Sequence, residues 1–319
     1  MKHIFIINPA AGKGILQEKL ENDISKITKA NSIDYEIIKT GSIGDAENIV
    51  RSVCSKNNGV PLRFYACGGD GTINEVINGI SGFDNAEFAV IPIGTGNDFV
   101  KNFGALSCFL DVEAQIKGES VYIDSVKLND RYAVNVVNMG FDCAVVESVT
   151  KIKRSRWIPS SFAYIAGVII ELMKMPGVKL KKFALDGKSI EKTDVLLCAI
   201  ANGGFYGGGF NAAPRAKVDD GIIDVCYAER LSRLQFISMV GSYKKGTYVD
   251  NKRIMKKVFY HKCKSVDIDF DYELSVCIDG EISKMKSLHM EVVPEAIKFN
   301  IPQGVSYNGK SSKAEEAFV

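Results

Sequence analysis

The sequence predicts an α/β domain followed by an antiparallel β-sandwich domain, and three observations lead to this fold class. The chain has 319 residues, and single hydrophobic cores stop growing near ~250–300 residues, so two domains are expected. Over roughly the first 110 residues, strand-like and helix-like patterns alternate, which is typical of parallel strands joined by crossover helices. From about Tyr122 onward, strand-like runs follow one another, as they do in antiparallel sandwiches.

The elements of the first domain follow from short apolar runs and from apolar residues at helical spacing. The predicted strands lie at residues 4–7, 35–38, 62–67 and 88–93, and the predicted helices at 14–30, 45–54 and 72–80. The change of pattern places the domain boundary near Glu119, which gives domains at residues 1–120 and 121–289. The residues after Pro302 are polar, and we expect a frayed tail at 304–319.

The second domain is predicted from eight strand-like runs separated by turn signals. They lie at residues 122–128, 132–138, 178–185, 195–201, 222–227, 266–270, 274–278 and 288–293. Helices are expected near 234–243 and over 159–175. The second of these is apolar nearly all round, but Glu171 and Lys174 keep it short of the ~20 residues that a membrane span needs. It is therefore a buried or a membrane-facing helix.

Composition excludes several classes of protein. The chain is 46% hydrophobic and 24% charged, which matches globular proteins and argues against disorder or a fibrous repeat. Its eight cysteines form no CxxC pair, so reduced thiols in a cytosolic protein are favoured over disulfides or a zinc site. The first residues lack the long apolar segment of a signal peptide, and a cytoplasmic location is expected.

Positive charge is unevenly distributed although the net charge is only +2. Residues 241–264 carry eight Lys or Arg and one acid, Asp250. A second basic cluster, formed by Lys151, Lys153, Arg154 and Arg156, precedes the apolar helix. These clusters are either solvated faces or a surface for peripheral contact with anionic membranes. No nucleic-acid partner is expected.

The strongest local signal is the turn Gly68-Gly69-Asp70-Gly71-Thr72, which follows a strand and opens a helix. Glycines allow the backbone to approach phosphates, and a helix N-terminus offers unpaired N–H groups. Asp70 would hold a phosphate-bound Mg²⁺, since this ion prefers hard oxygen ligands. Because Asp70 is a loop carboxylate, its removal is expected to leave folding nearly unchanged. The alternative is a plain turn with a capping box between Thr72 and Glu75.

Two further loops follow neighbouring strands. Gly94-Thr95-Gly96-Asn97-Asp98 would lie at the same sheet edge as the first turn, where ligands bind in open α/β sheets. Asn8-Pro9-Ala10-Ala11-Gly12-Lys13-Gly14 follows the first strand and, by itself, is equally typical of an ordinary βα turn. The sequence has neither a P-loop nor GxGxxG between a strand and a helix, so Walker-type NTPases and Rossmann oxidoreductases are not supported.

Taken together and in this order, the three loops closely resemble the diacylglycerol kinase catalytic domain. That family includes sphingosine kinases, ceramide kinases and soluble bacterial lipid kinases. The resemblance spans nearly the whole chain and continues through Asn135-x-x-Asn138-Met139-Gly140-Phe141-Asp142, Asn202-Gly203, Gly207-Gly208-Gly209, Ala213-Pro214, Asp219-Asp220-Gly221-Ile222-Ile223-Asp224 and Ile278-Asp279-Gly280-Glu281.

This resemblance implies an ATP-binding first domain, a β-sandwich second domain and an active site in the cleft between them. The strand at 290–303 would return to the first domain. The implied reaction transfers the γ-phosphoryl group of Mg·ATP to a lipid hydroxyl at a membrane surface, with diacylglycerol as the expected acceptor. Some relatives form dimers, so a homodimer remains open.

The family's functional residues can be carried over position by position. The ATP site would comprise Asn8, Pro9, Ala10, Ala11, Gly12, Thr40, Gly68, Gly69, Asp70, Gly71, Thr72, Asn74, Glu75 and Thr95. Glu281 would be the general base, with Asp70 as the second catalytic residue. A structural Mg²⁺ would be held by Asp220 and by the backbone carbonyls of Lys217 and Ile222.

Without the resemblance, these two regions have simpler interpretations. Asp219-Asp220-Gly221 is more often a turn, and Asp279-Gly280 suits a hairpin turn.

The sequence also departs from the family at Lys101, where many bacterial relatives have an arginine. A lysine is a point charge and cannot make the bidentate contacts of a guanidinium group.

Two other functions stay open. An NAD kinase-like enzyme shares the GGDGT turn, and a nucleotide-sensing module could have lost catalysis. The uninterrupted run from Gly68 to Val76 and the turn from Gly94 to Asp98 favour the lipid branch, and the presence of both Asp70 and Glu281 favours an active enzyme.

Overall fold

The structure is a computed structural model that describes residues 1–104, 106–153 and 160–307. The chain forms two compact units. The first comprises Met1–Ser125 and the chain from Val293 onward, and the second comprises Val126–Val292.

The first unit alternates strands and helices. Its elements are β1 (Lys2–Ile7), α1 (Ile15–Ala30), β2 (Tyr35–Lys39), α2 (Asp45–Lys56), β3 (Leu62–Gly68), α3 (Asp70–Ile80), β4 (Ala86–Pro92), α4 (Leu106–Leu110) and α5 (Val112–Ile116), with 3-10 helices at Ala11–Gly14 and Phe99–Phe103. Strand β5 (Glu119–Leu128) then leads into the second unit.

The second unit consists mostly of strands. Its elements are β6 (Arg131–Ala133), β7 (Val136–Gly140), α6 (Phe141–Lys153), α7 (Ser160–Lys174), β8 (Val178–Leu185), β9 (Lys188–Ser189), β10 (Asp194–Ala201), β11 (Phe205–Tyr206), β12 (Phe210–Asn211), β13 (Ile223–Glu229), α8 (Arg233–Lys245), β14 (Val258–Cys263), β15 (Ser265–Ile278) and β16 (Glu281–Ile301), with 3-10 helices at Thr247–Asp250 and Ile254–Lys256. The last residues of β16 belong to the first unit.

The sheet of the first unit is parallel, in the order β2-β1-β3-β4-β16. Strands β3 and β4 are buried along their whole length, as expected for parallel strands that are covered on both faces. The carboxyl ends of β1, β3 and β4 meet at one edge. The fold thereby brings the three sequence loops together, because each follows one of these strands.

A buried ion network holds the end of β16 beside β4. The Arg63 guanidinium donates to the Glu87 carboxylate (Nε to Oε1, 2.5 Å), and Lys298 on β16 pairs with the same carboxylate at 3.0 Å. Phe299 lies opposite Phe88 in the parallel register. A buried carboxylate needs such paired cations, because an isolated buried charge is very costly.

The second unit is antiparallel throughout, in the order β14-β13-β10-β7-β15-β16. Strand β8 pairs with both β10 and β15, so the sheet folds over one apolar core. Residues of α6 and α8 contribute to a second core on the other face of the sheet. The predicted fold class, an α/β domain followed by a β-sandwich domain, is confirmed.

Several elements differ from the prediction. Helix α6 was missed, since Val145 and Val149 are β-branched and dilute its helical pattern. The predicted strand at 132–138 is divided into β6 and β7, and the two predicted strands at 266–278 form one strand, β15, whose register shifts between Asp269 and Leu274. Strand β14 was not predicted.

All eight cysteines are free thiols, and seven are buried. Burial raises the pKa of Cys54 to about 11 and that of Cys226 to about 12, so these thiols are unreactive at neutral pH. In the part of the chain that the structure describes, no helix is both long and apolar enough to cross a bilayer.

Candidate active site

Backbone hydrogen bonds join the loops at the carboxyl edge of the parallel sheet. The Asn8 N–H donates to the Cys67 carbonyl (3.0 Å), and the Thr40 N–H donates to the Ile7 carbonyl (3.0 Å). The Gly94 N–H donates to the Gly68 carbonyl at 3.1 Å. The loops after β1, β3 and β4 and the residue after β2 are therefore parts of one surface.

Glycines are required here because two loops pack backbone against backbone. A Cβ on Gly94 would lie 2.4 Å from the Cα of Gly69, and a Cβ on Gly68 would lie 2.2 Å from the Thr72 hydroxyl oxygen. A side chain on Gly94 would force the two loops apart, and one on Gly68 would clash with Thr72 within its own turn. The turn therefore needs glycine for close approach and not for positive φ, which neither Gly68 nor Gly69 has.

The first loop is tied to the start of α3 by Asn8. Its Nδ2 donates to the Thr72 hydroxyl (3.1 Å), and its Oδ1 accepts from the Ala10 N–H (2.9 Å). Of the other predicted ATP-site residues in these loops, Pro9, Ala10 and Thr95 are exposed, whereas Ala11, Gly12, Thr40, Gly69 and Gly71 are half-buried.

Glu75 and Asn74 are buried and serve the fold of the site. The Glu75 carboxylate accepts from the N–H groups of Gly44 (2.8 Å) and Ala46 (2.9 Å), so it caps the N-terminus of α2. The capping box between Thr72 and Glu75 is therefore not formed. Asn74 accepts a hydrogen bond from Asn78 within α3. Glu75 therefore joins the start of α2 to α3, whereas the bond that Asn74 accepts from Asn78 lies within α3.

The N-terminus of α3 suits an anion. Its N-cap is Gly69, and among the described residues no side chain caps its N–H groups from that position. A helix N-terminus carries partial positive charge and N–H groups that point outward. A phosphate group is the ligand that such a turn typically binds.

Asp70 and Asp98 converge beside Gly96. Asp70 Oδ1 accepts from the N–H groups of Asp98 (2.9 Å) and Phe99 (3.1 Å). A Cβ built on Gly96 would lie 3.0 Å from Asp70 Oδ2 and 3.4 Å from Asp98 Oδ2. The two carboxylates therefore face the same small space, which a side chain at Gly96 would crowd.

The structure corrects the expected role of Asp70 in folding and adds Asp98 to the candidate site. Asp70 was expected to matter little for folding, yet its carboxylate anchors the turn after β4. Asp98 is not among the site residues predicted from the sequence. Its position could have indicated a metal ligand, since it is an acid on the loop adjacent to the one that carries Asp70.

The pair fits a Mg²⁺ ion that also binds phosphates. Carboxylate oxygens are hard ligands, and protein-bound Mg²⁺ commonly has one or two carboxylates, with phosphates and water completing its coordination. Within residues 1–104, 106–153 and 160–307, no group of three or more His, Cys, Asp or Glu forms a metal-binding set. A Mg²⁺ ion held by this pair would need further ligands, which phosphate oxygens and water can supply.

Lys101 binds within the same turn. Its Nζ donates to the Gly96 carbonyl oxygen (2.8 Å) and forms an ion pair with Asp98 Oδ1 (2.5 Å). The lysine that replaces the family's arginine is therefore bound to Asp98, one of the two carboxylates.

In the second unit, Glu281 follows a tight hairpin turn. Ile278 pairs with Glu281, and the two intervening residues have positive φ, 46° at Asp279 and 92° at Gly280. Such a turn matches strand twist and favours this residue pair. Glu281 is the first residue of β16 and is half-buried.

Asp279 has a second role that the sequence did not reveal. Its carboxylate accepts from the N–H groups of Val134 (2.9 Å), Asn135 (3.0 Å) and Val136 (3.0 Å). These bonds attach the connection between β6 and β7 to the hairpin and explain why the predicted strand is divided there. Glu281 therefore directly follows a turn that these hydrogen bonds hold in place.

The loop at residues 217–222 presents oxygen ligands. Asp220 is half-buried, and Gly221 has φ of 69°. The Lys262 ammonium lies 3.5 Å from Asp220 Oδ2 and 3.0 Å from the buried Asp224 carboxylate. Burial raises the pKa of Asp224. Asp220 and the carbonyls of Lys217 and Ile222 are oxygen donors of the type that Mg²⁺ prefers, so the residues fit the implied structural ion.

Comparisons with known proteins identify both domains of the chain. Residues 2–128 match the model of the diacylglycerol kinase catalytic domain, and residues 135–301, over half of the chain, match the YegS C-terminal NAD kinase beta sandwich-like domain. Two solved chains from Bacillus anthracis share the fold. One has a TM-score of 0.72 and 25% identity and covers 96% of each chain. Another, titled a diacylglycerol kinase, has a TM-score of 0.67 and 22% identity and covers 96% of this chain and 98% of its own.

Curated relatives cover most of the chain. A protein named diacylglycerol kinase from Staphylococcus aureus is 29% identical over 86% of this chain and 84% of its own. One named probable lipid kinase YegS-like from Shewanella frigidimarina is 29% identical over 74% of this chain and 75% of its own. The chain therefore belongs to the family of proteins in which a diacylglycerol kinase catalytic domain is followed by a YegS-type C-terminal domain.

Proposed function

We propose that the protein is an ATP-dependent lipid kinase that phosphorylates the hydroxyl of diacylglycerol to give phosphatidic acid. The observation that carries this proposal is the convergence of Asp70 and Asp98 beside the N-terminus of α3, whose N-cap is Gly69. Relatives named diacylglycerol kinase and lipid kinase support the choice of a lipid acceptor.

The glycine loops would bind the nucleotide phosphates. Gly68, Gly69 and Gly71 allow the phosphates to approach the backbone, and the N–H groups at the start of α3 would donate to them. Asn8 and Glu75 would keep the adjoining loops in place through the hydrogen bonds described above.

Mg²⁺ would be held by Asp70 and Asp98, and when bound it would neutralise charge on the phosphates. A second, structural ion would be held by the loop at 217–222. Phosphoryl transfer otherwise requires positioning of the acceptor and removal of its proton. We assign the removal of that proton to the Glu281 carboxylate.

The test is transfer of radiolabelled phosphate from ATP to a panel of acceptors. The panel contains diacylglycerol, a sphingosine-like base, phosphatidylglycerol, an undecaprenol-like alcohol and NAD. Label is expected on diacylglycerol. Label on NAD alone would identify an NAD kinase-like enzyme, and ATP binding without transfer to any acceptor would favour a nucleotide-sensing module.

We also propose that the protein binds anionic membranes peripherally through its second unit. The basic side chains Lys244, Lys245, Lys252, Arg253, Lys256 and Lys257 are all exposed. Of the other basic cluster, Arg154 and Arg156 lie outside the described residues.

Two neighbouring helices of the second unit, α7 and α8, also carry exposed apolar side chains. Arg233 at the start of α8 donates through Nε to the Leu172 carbonyl oxygen at the end of α7 (3.1 Å). The exposed apolar residues on these helices are Ile169, Ile170, Met173, Leu234 and Ile237. Apolar residues beside basic ones are typical of surfaces that contact membranes.

Charge reversal tests the membrane proposal. Each Lys or Arg near an anionic surface contributes ~1 kcal/mol. Lys252→Glu combined with Lys256→Glu should therefore weaken binding to phosphatidylglycerol vesicles by at least about tenfold at low salt, as measured by sedimentation. Lys26→Glu with Lys29→Glu, on exposed positions of α1, is the matched control. The proposal would be refuted if vesicle binding of the parent depended on neither the charge of the lipids nor the ionic strength.

A third prediction concerns the metal loop of the second unit. Asp220→Ala should remove the side-chain ligand of the structural ion, which would organise the loop without touching ATP. We expect lower activity, a lower melting temperature and loss of the stabilisation that added Mg²⁺ gives the parent. Asp219→Ala is the neighbouring control. If Asp220→Ala melts and turns over like the parent, the loop is only a turn.

A further inference from the structure

We propose that Lys101 is a tethered counter-cation for the Asp70 and Asp98 pair and that it weakens divalent-cation binding to this pair in the absence of nucleotide. The proposal rests on the proposed function, because it assigns Mg·ATP to this site. It starts from the ion pair between Lys101 and Asp98 and from the contact of Lys101 with the Gly96 carbonyl.

Hydrogen bonds from residues other than Lys101 also hold the turn. Asp70 Oδ1 holds the N–H groups of Asp98 and Phe99. Asn97 Nδ2 donates to the carbonyls of Pro92 and Gly94, both at 3.0 Å. These four hydrogen bonds fix the backbone from residue 92 to residue 99. The main effect of Lys101 is therefore on charge.

The charge effect is large because the pair is sheltered. The Asp98 side chain is only 8% exposed, and the Lys101 side chain is 31% exposed. Two carboxylates that face one small space repel each other, and a nearby ammonium lowers their combined charge from −2 to −1. Charges at such short range still interact strongly where they are partly sheltered from water. A divalent cation must compete with this ammonium.

Nucleotide phosphates change the competition between the divalent cation and the Lys101 ammonium. A triphosphate brings several negative charges and its own oxygen ligands, so a metal that enters with ATP does not need the full charge of the carboxylate pair. Lys101 would thus favour Mg·ATP over the free ion. An arginine at this position would keep the positive charge, which makes Lys101→Arg the conservative variant.

The experiment measures Mn²⁺ binding, followed by electron paramagnetic resonance, without nucleotide and without lipid. Lys101→Met and Lys101→Gln should each bind Mn²⁺ about tenfold more tightly than the parent, while Lys101→Arg should bind like the parent. Lys117→Met is the matched control, because Lys117 forms an exposed ion pair with Glu113 in the same unit. Adding Asp98→Asn to Lys101→Met should abolish the gain and exclude the loop at 217–222 as its source.

Unchanged or weaker Mn²⁺ binding in both neutral variants would overturn the proposal. So would a rise in the KM for lipid with unchanged Mn²⁺ binding, since that result would place the ammonium on the acceptor. Failure of the parent to phosphorylate any lipid would refute the proposed function but would leave the Mn²⁺ comparison valid, because that measurement contains no acceptor.

Discussion

Asp70→Asn is expected to lower turnover by at least ~100-fold while the protein remains folded. The amide keeps an oxygen that can accept from the N–H groups of Asp98 and Phe99, so the turn after β4 stays in place. It lacks the negative charge that would hold Mg²⁺ on the phosphates. The loss should therefore appear in turnover and in Mg·ATP affinity, measured by calorimetry, with a melting temperature close to that of the parent.

Asp70→Ala should behave differently because it also removes the acceptor. Hydrogen bonds to a charged group contribute ~1.5–3 kcal/mol each, and an N–H left unsatisfied in a partly buried turn adds to the cost. We expect a loss of about 2–4 kcal/mol in the free energy of unfolding, visible as a lower melting temperature. Asp84→Asn, at an exposed acid of the same unit, is the control. Parental turnover in Asp70→Asn would exclude this nucleotide site.

The strand and helix pattern of the first unit could be predicted because parallel strands are apolar throughout. Strands β1, β3 and β4 have nearly continuous buried sequences between helices with one apolar side. Once the strands are parallel, their following loops must lie at one edge, and the meeting of the glycine turns follows from topology alone. The meeting of these loops could therefore be predicted without knowing where any side chain lies.

Roles that depend on long-range contacts could not be predicted in this way. Glu75 caps α2 from a position 31 residues away in sequence, and Asp279 binds amides 143 to 145 residues away. In the sequence, each is an acid beside a turn, and local chemistry suggested a local cap or an ordinary hairpin. The ion pair between Lys101 and Asp98 is local, but the sequence does not show which of the nearby acids the lysine binds.

Glu281→Gln is expected to reduce turnover by ~10²–10⁴-fold, the typical contribution of a positioned general base. A lipid hydroxyl is a poor nucleophile at neutral pH, and the glutamine cannot accept its proton. The exchange should leave folding intact. The hairpin that precedes Glu281 is held by the Asp279 carboxylate and by the pairing of β15 with β16, neither of which the substitution changes.

The decisive experiment measures the turnover rate and the ATP affinity of Glu281→Gln in the same preparation. Glu281→Gln should retain parental ATP affinity and thermal stability, because the side chain is nearly isosteric and is no proposed ATP ligand. Glu273→Gln, at an exposed position of β15, is the matched control and should turn over like the parent. A Glu281→Gln enzyme that keeps more than about a tenth of parental turnover would remove Glu281 as the base. Loss of ATP binding together with turnover would instead assign Glu281 to the structure of the site, since a base acts on the acceptor and not on the nucleotide.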